Sequence, residues 1–209
     1  MYKKITEEET MNLANKLTIF RMILVPIMMV MPLFNIQGEI LGISITYIIV
    51  DVIFILASIT DKLDGYIARS RNQITTFGKF LDPIADKILV IVAMLMLVAN
   101  NKLPYWIPAI VIIREFAVSG YRLVAVQKDG NVIAASIWGK LKTVTQMVGI
   151  ALAFLDKNSF GSFLTQNLTG FDYILNIIVT ITISVSVIAT VISGIDYLKG
   201  SKELFKESK

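Results

Sequence analysis

The sequence predicts an all-α integral membrane protein with six transmembrane helices, and three observations predict it. The 209-residue chain is 55% hydrophobic, with a mean hydropathy of +0.69. Its apolar runs repeatedly reach the ~20 residues that an α-helix needs to cross a bilayer. Lysines and arginines gather in alternate connectors, as expected where one set of loops stays in the cytoplasm.

The runs place spans near residues 17–37, 41–60, 82–100, 104–127, 137–156 and 172–197. An even count puts both ends on one side. The connectors 61–81 and 128–140 and the two tails carry most of the basic residues. The opposite connectors offer only Lys102 and Lys157, beside Glu39, Asp156 and Asp172. That asymmetry predicts an N-in, C-in topology in a multi-pass cell membrane protein. Residues 1–12 read as a polar tail, with Lys3, Lys4 and glutamates at 7 to 9, rather than as a signal peptide. Residues 13–200 form the six-helix unit and 201–209 a basic C-terminal tail. Residues 130–136 and 158–170 read as loops. Trp106 and Tyr105 suit an interfacial aromatic belt, and the methionines at 22, 28, 29 and 31 are apolar filling. Pro83, directly after Asp82, reads as a first-turn proline behind a capping aspartate that starts the third span.

The chain has no cysteine and no histidine. Thiol catalysis, disulfides and thiolate metal sites are excluded, and a side-chain base at neutral pH has to be a carboxylate. Four aspartates stand out: Asp61 and Asp64, three apart, and Asp82 and Asp86, four apart. On helices each pair shares a face, with side chains roughly 5–6 Å apart. Carboxylates at membrane depth cost several kcal/mol unless paired, hydrated or metal-bound, so they mark a functional site. Two such faces together would make a cage of oxygen ligands suited to Mg²⁺ or Mn²⁺. With the predicted topology, all four lie at the cytoplasmic ends of spans two and three.

The string Asp61, Lys62, Leu63, Asp64, Gly65, Tyr66, Ile67, Ala68, Arg69, followed by Gly78 through Asp82 to Asp86, resembles the complete signature of the CDP-alcohol phosphatidyltransferase family. Three further segments are similar to the branch whose acceptor is glycerol 3-phosphate. These are Asn15 to Arg21, including Thr18; Arg114 to Arg122; and Gly139 to Thr143, including Lys140 and Lys142. The resemblance covers nearly everything from Met11 onward. It implies transfer of a phosphatidyl group from CDP-diacylglycerol to glycerol 3-phosphate with release of CMP, in a membrane-embedded enzyme and a homodimer. It also implies two divalent ions held by Asp61, Asp64 and Asp82. Asp86 would lie near the metals and accept the proton of the glycerol hydroxyl.

Other positions have two readings each. Gly65 either admits the nucleotide close to the backbone or packs helices tightly. Arg69 either forks onto the diphosphate or anchors the chain at the membrane surface. Thr75 resembles a hydroxyl contact to the nucleotide, or is a loop or cap residue. Asn15, Thr18 and Arg21 share a helical face and either line the donor side or anchor span one. The acceptor's own phosphate needs cations, for which Arg114, Arg122, Lys140 and Lys142 are candidates; Arg114 is preferred, because Glu115 and Arg122 share a face and are able to pair. Lys140 and Lys142 read equally as topology signals. Lys62, Arg71, Lys79 and Lys87 read as surface charges near anionic lipid. Nothing in the pattern points to nucleic acid. The alternatives are a sister enzyme that uses phosphatidylglycerol or inositol phosphate, and a cation or proton transporter. A transporter predicts carboxylates spread through the membrane and inverted repeats, whereas these cluster at one face.

Overall fold

The computed structural model describes residues 13–34, 36–70, 76–129 and 137–206, with side chains for 16–34, 36–60, 81–122 and 137–197. Six α-helices run through the described residues: α1 (Leu13–Val30), α2 (Ile45–Ser70), α3 (Thr76–Ala99), α4 (Trp106–Asp129), α5 (Ile137–Leu155) and α6 (Gly170–Lys206). A two-residue hairpin, β1 (Glu39–Ile40) and β2 (Ile43–Ser44), leads into α2. Its turn residues Leu41 and Gly42 both have positive φ, as a hairpin turn matched to the strand twist requires.

Three helices outrun the apolar segments that announce them. Helix α2 continues past Thr60 to Ser70, α3 begins at Thr76, and α6 reaches Lys206. Hydropathy marks where a helix leaves the apolar layer, while backbone hydrogen bonding carries it further. Pro83 therefore lies inside α3, not in its first turn, and Asp82 is a helical residue, not a cap. The missing proline N–H removes one intrahelical bond there.

Among the described residues, two helical segments, Lys16–Phe34 and Gly170–Tyr197, are long and apolar enough by themselves to cross a membrane, and Ile45–Thr60 is a shorter apolar helix. Each helix buries one stripe. In α1 it is Thr18, Arg21, Val25 and Met28; in α2, Val50, Phe54 and Ala57; in α5, Lys142, Gln146, Gly149, Ile150 and Ala153. These spacings of three and four keep the residues on one face. The outward faces stay apolar, with Ile23, Ile27, Ile113 and Phe116 exposed. Close packing holds the interior together. A Cβ on Gly149 would stand 2.7 Å from Ile183 Cδ1, so the small residue lets α5 and α6 approach. Phe54 and Phe154 join α2 to α5 with ring centroids 6.3 Å apart. Helix α1 packs on α2 and α3, and α4 packs on α6.

At the end of the bundle away from Asp82, the α3–α4 connector is clamped onto α5. Lys102 Nζ donates to the carbonyls of Phe154 at 2.9 Å and Asp156 at 2.5 Å. A cation on the last carbonyls of a helix satisfies groups that have no intrahelical donor. Asp156 accepts from Asn176 Nδ2 at 2.7 Å and from the Asn158 N–H at 2.9 Å, which ties the same point to α6. Lys102 also lies over the Tyr47 ring, 5.3 Å from its centroid, and the Tyr47 hydroxyl bonds Asn100.

Burial pushes the Lys102 ammonium down from 10.5 to about 8, against the charges of Asp156 and Asp51, which favour it. The folded chain therefore sheds this proton before the unfolded chain does as pH rises. The cost of burying the charge is present in full below pH 8 and is relieved between about 8 and 10.5. In thermal unfolding of the detergent-solubilised protein, the stability of the wild type relative to Lys102→Met should accordingly rise between pH 8 and pH 10. A difference that falls over that range would contradict the half-buried, charged Lys102.

Candidate active site

Helix α2 carries Asp61, Asp64, Gly65 and Arg69 on one unbroken helical backbone, and α3 carries Asp82 and Asp86. The spacings of three and four residues thus fall on helices, as the shared-face argument requires. The side chains of Asn15, Asp61, Asp64, Gly65 and Arg69 lie outside the described residues, as does Thr75 altogether.

Asp82 is anchored from α1. Its Oδ1 accepts a hydrogen bond of 2.6 Å from Thr18 Oγ1, and Thr18 is 1% exposed. Arg21, one turn further along α1, is wholly buried on the same face. Thr18 therefore forms part of the wall against which α3 sets Asp82, and Arg21 continues the same face of α1. A bond to one carboxylate oxygen fixes the rotamer and leaves the other oxygen available to a cation. Hard oxygen donors on rigid helices suit Mg²⁺ or Mn²⁺, and a hydroxyl behind a ligating carboxylate is the usual form of outer support.

Asp86, one turn beyond Asp82, opens onto a cavity of about 260 Å³ between α3, α4, α5 and α6. Its charged lining is Asp86, Lys87, Arg114, Glu115, Arg122 and Lys142. Three of the four proposed acceptor cations, Arg114, Arg122 and Lys142, are thus gathered beside the proposed base. The fourth, Lys140, is exposed on α5 and does not line the cavity; it lies two residues from Lys142, which turns it to another face of the helix.

Each cation is held from a neighbouring helix. Arg114 Nη1 donates to Glu115 Oε1 at 3.0 Å and Nη2 to Ser193 Oγ of α6 at 2.5 Å. Its Nε is buried with no acceptor among the described residues. Arg122 Nη2 donates to the Tyr197 hydroxyl at 2.5 Å, so Arg122 is paired with α6 and not with Glu115. The Tyr197 ring lies under both guanidinium groups, 5.8 Å from Arg114 and 5.2 Å from Arg122. Lys142 pairs with Glu115, and Lys87 donates to Ser119 Oγ. Four cations against two carboxylates leave the lining two positive charges in excess, a surplus matched to a phosphate dianion.

Lys87, Ser193 and Tyr197 emerge from the fold and not from the motifs, whereas Glu115 lies within the Arg114 to Arg122 segment and only its partner, Lys142, comes from the fold. Lys87 reads as a surface charge in sequence, yet it follows Asp86 directly, and that adjacency is the one signal that could have found it. Tyr197 and Ser193 sit in the apolar run of α6 with no pattern to distinguish them.

The sequence model of CDP-alcohol phosphatidyltransferase matches residues 11–192, which span all four aspartates and the whole cavity lining except Tyr197. The chain belongs to the CDP-alcohol phosphatidyltransferase family. It is similar to a Bacillus subtilis (strain 168) protein named CDP-diacylglycerol–glycerol-3-phosphate 3-phosphatidyltransferase, with 38% identity over 204 residues covering 94% of this chain and 98% of the relative. A Haemophilus influenzae protein of the same name is 36% identical over 190 residues, covering 89% and 91%. One from Rickettsia typhi is 39% identical over 196 residues, covering 93% and 99%. As a CDP-alcohol phosphatidyltransferase the chain is a transferase of phospholipid biosynthesis, and the transporter alternative falls away.

The Thr18–Asp82 bond generates a test. Asp61→Asn, Asp64→Asn and Asp82→Asn should each lower CMP release by about a hundredfold or more without lowering the unfolding temperature, since each loses charge but little volume. Thr18→Val should have a milder effect. It should raise the Mg²⁺ or Mn²⁺ concentration for half-maximal activity by roughly tenfold and weaken Mn²⁺ binding measured by electron paramagnetic resonance. Unchanged metal binding would remove Thr18 from the support of Asp82.

Proposed function

We infer that this protein transfers the phosphatidyl group of CDP-diacylglycerol to glycerol 3-phosphate, giving phosphatidylglycerol phosphate and CMP. The observation that carries the reading is the cavity in which Arg114, Arg122, Lys142 and Lys87 surround the space beside Asp86. An acceptor with its own phosphate needs such a pocket next to the reacting hydroxyl. Serine has no use for it. Phosphatidylglycerol, the acceptor in the sister reaction, would bring only a singly charged diester and two acyl chains.

Donor and acceptor then meet along α3. Two divalent ions, Mg²⁺ or Mn²⁺, held by Asp61, Asp64 and Asp82 with Asp86 alongside, would neutralise the diphosphate and polarise the lipid-side phosphorus. Arg69 forks onto the diphosphate. Gly65 admits it to the α2 backbone, and Thr75, Asn15, Thr18 and Arg21 complete the donor side. Arg114, Arg122 and Lys142 take the acceptor's phosphate and so present its hydroxyl to Asp86. Asp86 takes the hydroxyl proton as the oxygen attacks, and CMP departs on the opposite side of phosphorus. With neither cysteine nor histidine in the chain, direct displacement needs no covalent intermediate.

The reading carries its setting with it. The six helices are six spans in the cell membrane, with both tails and the four aspartates on the cytoplasmic side, where glycerol 3-phosphate is water-borne. The catalytic unit is residues 13–200, flanked by tails 1–12 and 201–209. The enzyme works as a homodimer.

Purified protein given labelled CDP-diacylglycerol, Mg²⁺ or Mn²⁺ and several alcohols in turn should form phosphatidylglycerol phosphate. Chelation should abolish CMP release, and added metal should restore it. A product formed from phosphatidylglycerol or inositol phosphate alone would transfer the assignment to a sister activity. Arg114→Ala should raise the KM for glycerol 3-phosphate by about tenfold to a hundredfold, the worth of charged hydrogen bonds, and change the KM for CDP-diacylglycerol far less. Equal weakening of both would merge the two subsites. A donor made chiral at the lipid-side phosphorus should give inverted product, and Asp86→Asn should keep donor binding while turnover collapses. Retention of configuration would turn one aspartate into a nucleophile.

A further inference from the structure

A carboxylate in a pocket for anions is a conflict on its face. Glu115 projects into the cavity among four cations and removes one positive charge from a site that has to attract a dianion. Simple charge accounting makes it a liability. Its geometry gives it another role. One oxygen, Oε1, accepts both from Arg114 Nη1 at 3.0 Å and from Lys142 Nζ. Arg114 and Glu115 are on α4, Lys142 is on α5, and Ser193, which accepts the other arm of Arg114, is on α6. The Glu115 side chain is 13% exposed and that of Lys142 only 8%, so neither is free to swing into solvent.

Two like charges that must converge on one phosphate repel each other, and inside a bundle each also needs a partner while the substrate is absent. A shared carboxylate oxygen meets both needs by drawing Arg114 and Lys142 to a common point. Arg114 then has both outer nitrogens committed, and its buried Nε has no acceptor among the described residues.

We propose that Glu115 is a positioning residue for the acceptor, holding Arg114 and Lys142 side by side so that both address the same phosphate group. The proposal rests on reading the cavity as the glycerol 3-phosphate site. It makes a prediction opposite in sign to charge accounting. Glu115→Gln makes the pocket more positive and keeps the shape of the side chain, yet it should weaken the acceptor.

With the full-length protein, saturating CDP-diacylglycerol and Mg²⁺, Glu115→Gln should raise the KM for glycerol 3-phosphate by about tenfold, as loss of one charged hydrogen-bonding partner does. The KM for CDP-diacylglycerol should stay within about twofold of wild type. Glu115→Asp, which keeps the charge on a shorter arm, should recover part of the loss and provides the same readout should the Gln variant fail to fold. In a Lys142→Met background, Glu115→Gln should add little, because the partner it positions is gone. A KM for glycerol 3-phosphate that stays level or falls in Glu115→Gln would show a mere counter-charge and overturn the proposal. So would equal weakening of both substrates, or full additivity with Lys142→Met. Wild-type protein assayed alone decides the acceptor. A different acceptor there would sink the reading of the cavity before any variant is made.

Discussion

Each ionised group carried into this helix bundle has to meet a counter-charge, a hydroxyl or a metal, and that requirement organises the site. Water is not on hand to solvate a stray charge, and an unpaired one costs several kcal/mol. The helices answer by crossing one another at polar contacts: Thr18 on Asp82, Glu115 on Lys142, Ser193 on Arg114, Tyr197 on Arg122, Ser119 on Lys87. These contacts link α1 to α3, α3 to α4, and α4 to both α5 and α6. The chemistry and the packing of this half of the bundle are therefore one problem. A side chain that orients a functional group also fixes where two helices meet.

Helix α3 runs along both halves of the site. Asp82 faces α1 through Thr18, while Asp86 and Lys87, one turn on, face the cavity shared with α4, α5 and α6. A single turn thus separates a carboxylate on the proposed donor side from one on the proposed acceptor side. Pro83 lies between them inside the helix. Its missing N–H leaves a carbonyl one turn back without its usual donor, a local irregularity at the point where the two subsites adjoin.

The other end of the bundle follows the same rule with different parts. Lys102 caps α5 through main-chain carbonyls, and Asp156 collects Asn158 and Asn176. No motif residue is involved. This clamp joins the α3–α4 connector to α5 and α6, and so braces at one end the helices whose other ends line the cavity.

The helical class, the placement of the apolar runs, the four aspartates and the family were all readable from the chain. Periodicity, composition and short spacings are local properties, and a D-x-x-D or D-x-x-x-D pair acquires its meaning within one or two turns. The limits of α2, α3 and α6 were less readable, because hydropathy reports the apolar layer and the backbone continues to hydrogen-bond beyond it. Pro83 shows the cost of that gap: read locally it begins a helix, and in the fold it lies inside one that starts at Thr76. The cavity belongs to tertiary structure alone. Lys87 and Lys140 look alike in sequence, yet one lines the pocket and the other faces outward, and Glu115 pairs with Lys142, 27 positions away, rather than with Arg122 on its own helix. Ser193 and Tyr197 meet arginines 79 and 75 positions away. Such partners are chosen by which helices touch and at what height, and a charge buried among apolar helices takes the nearest polar group that the packing brings to it.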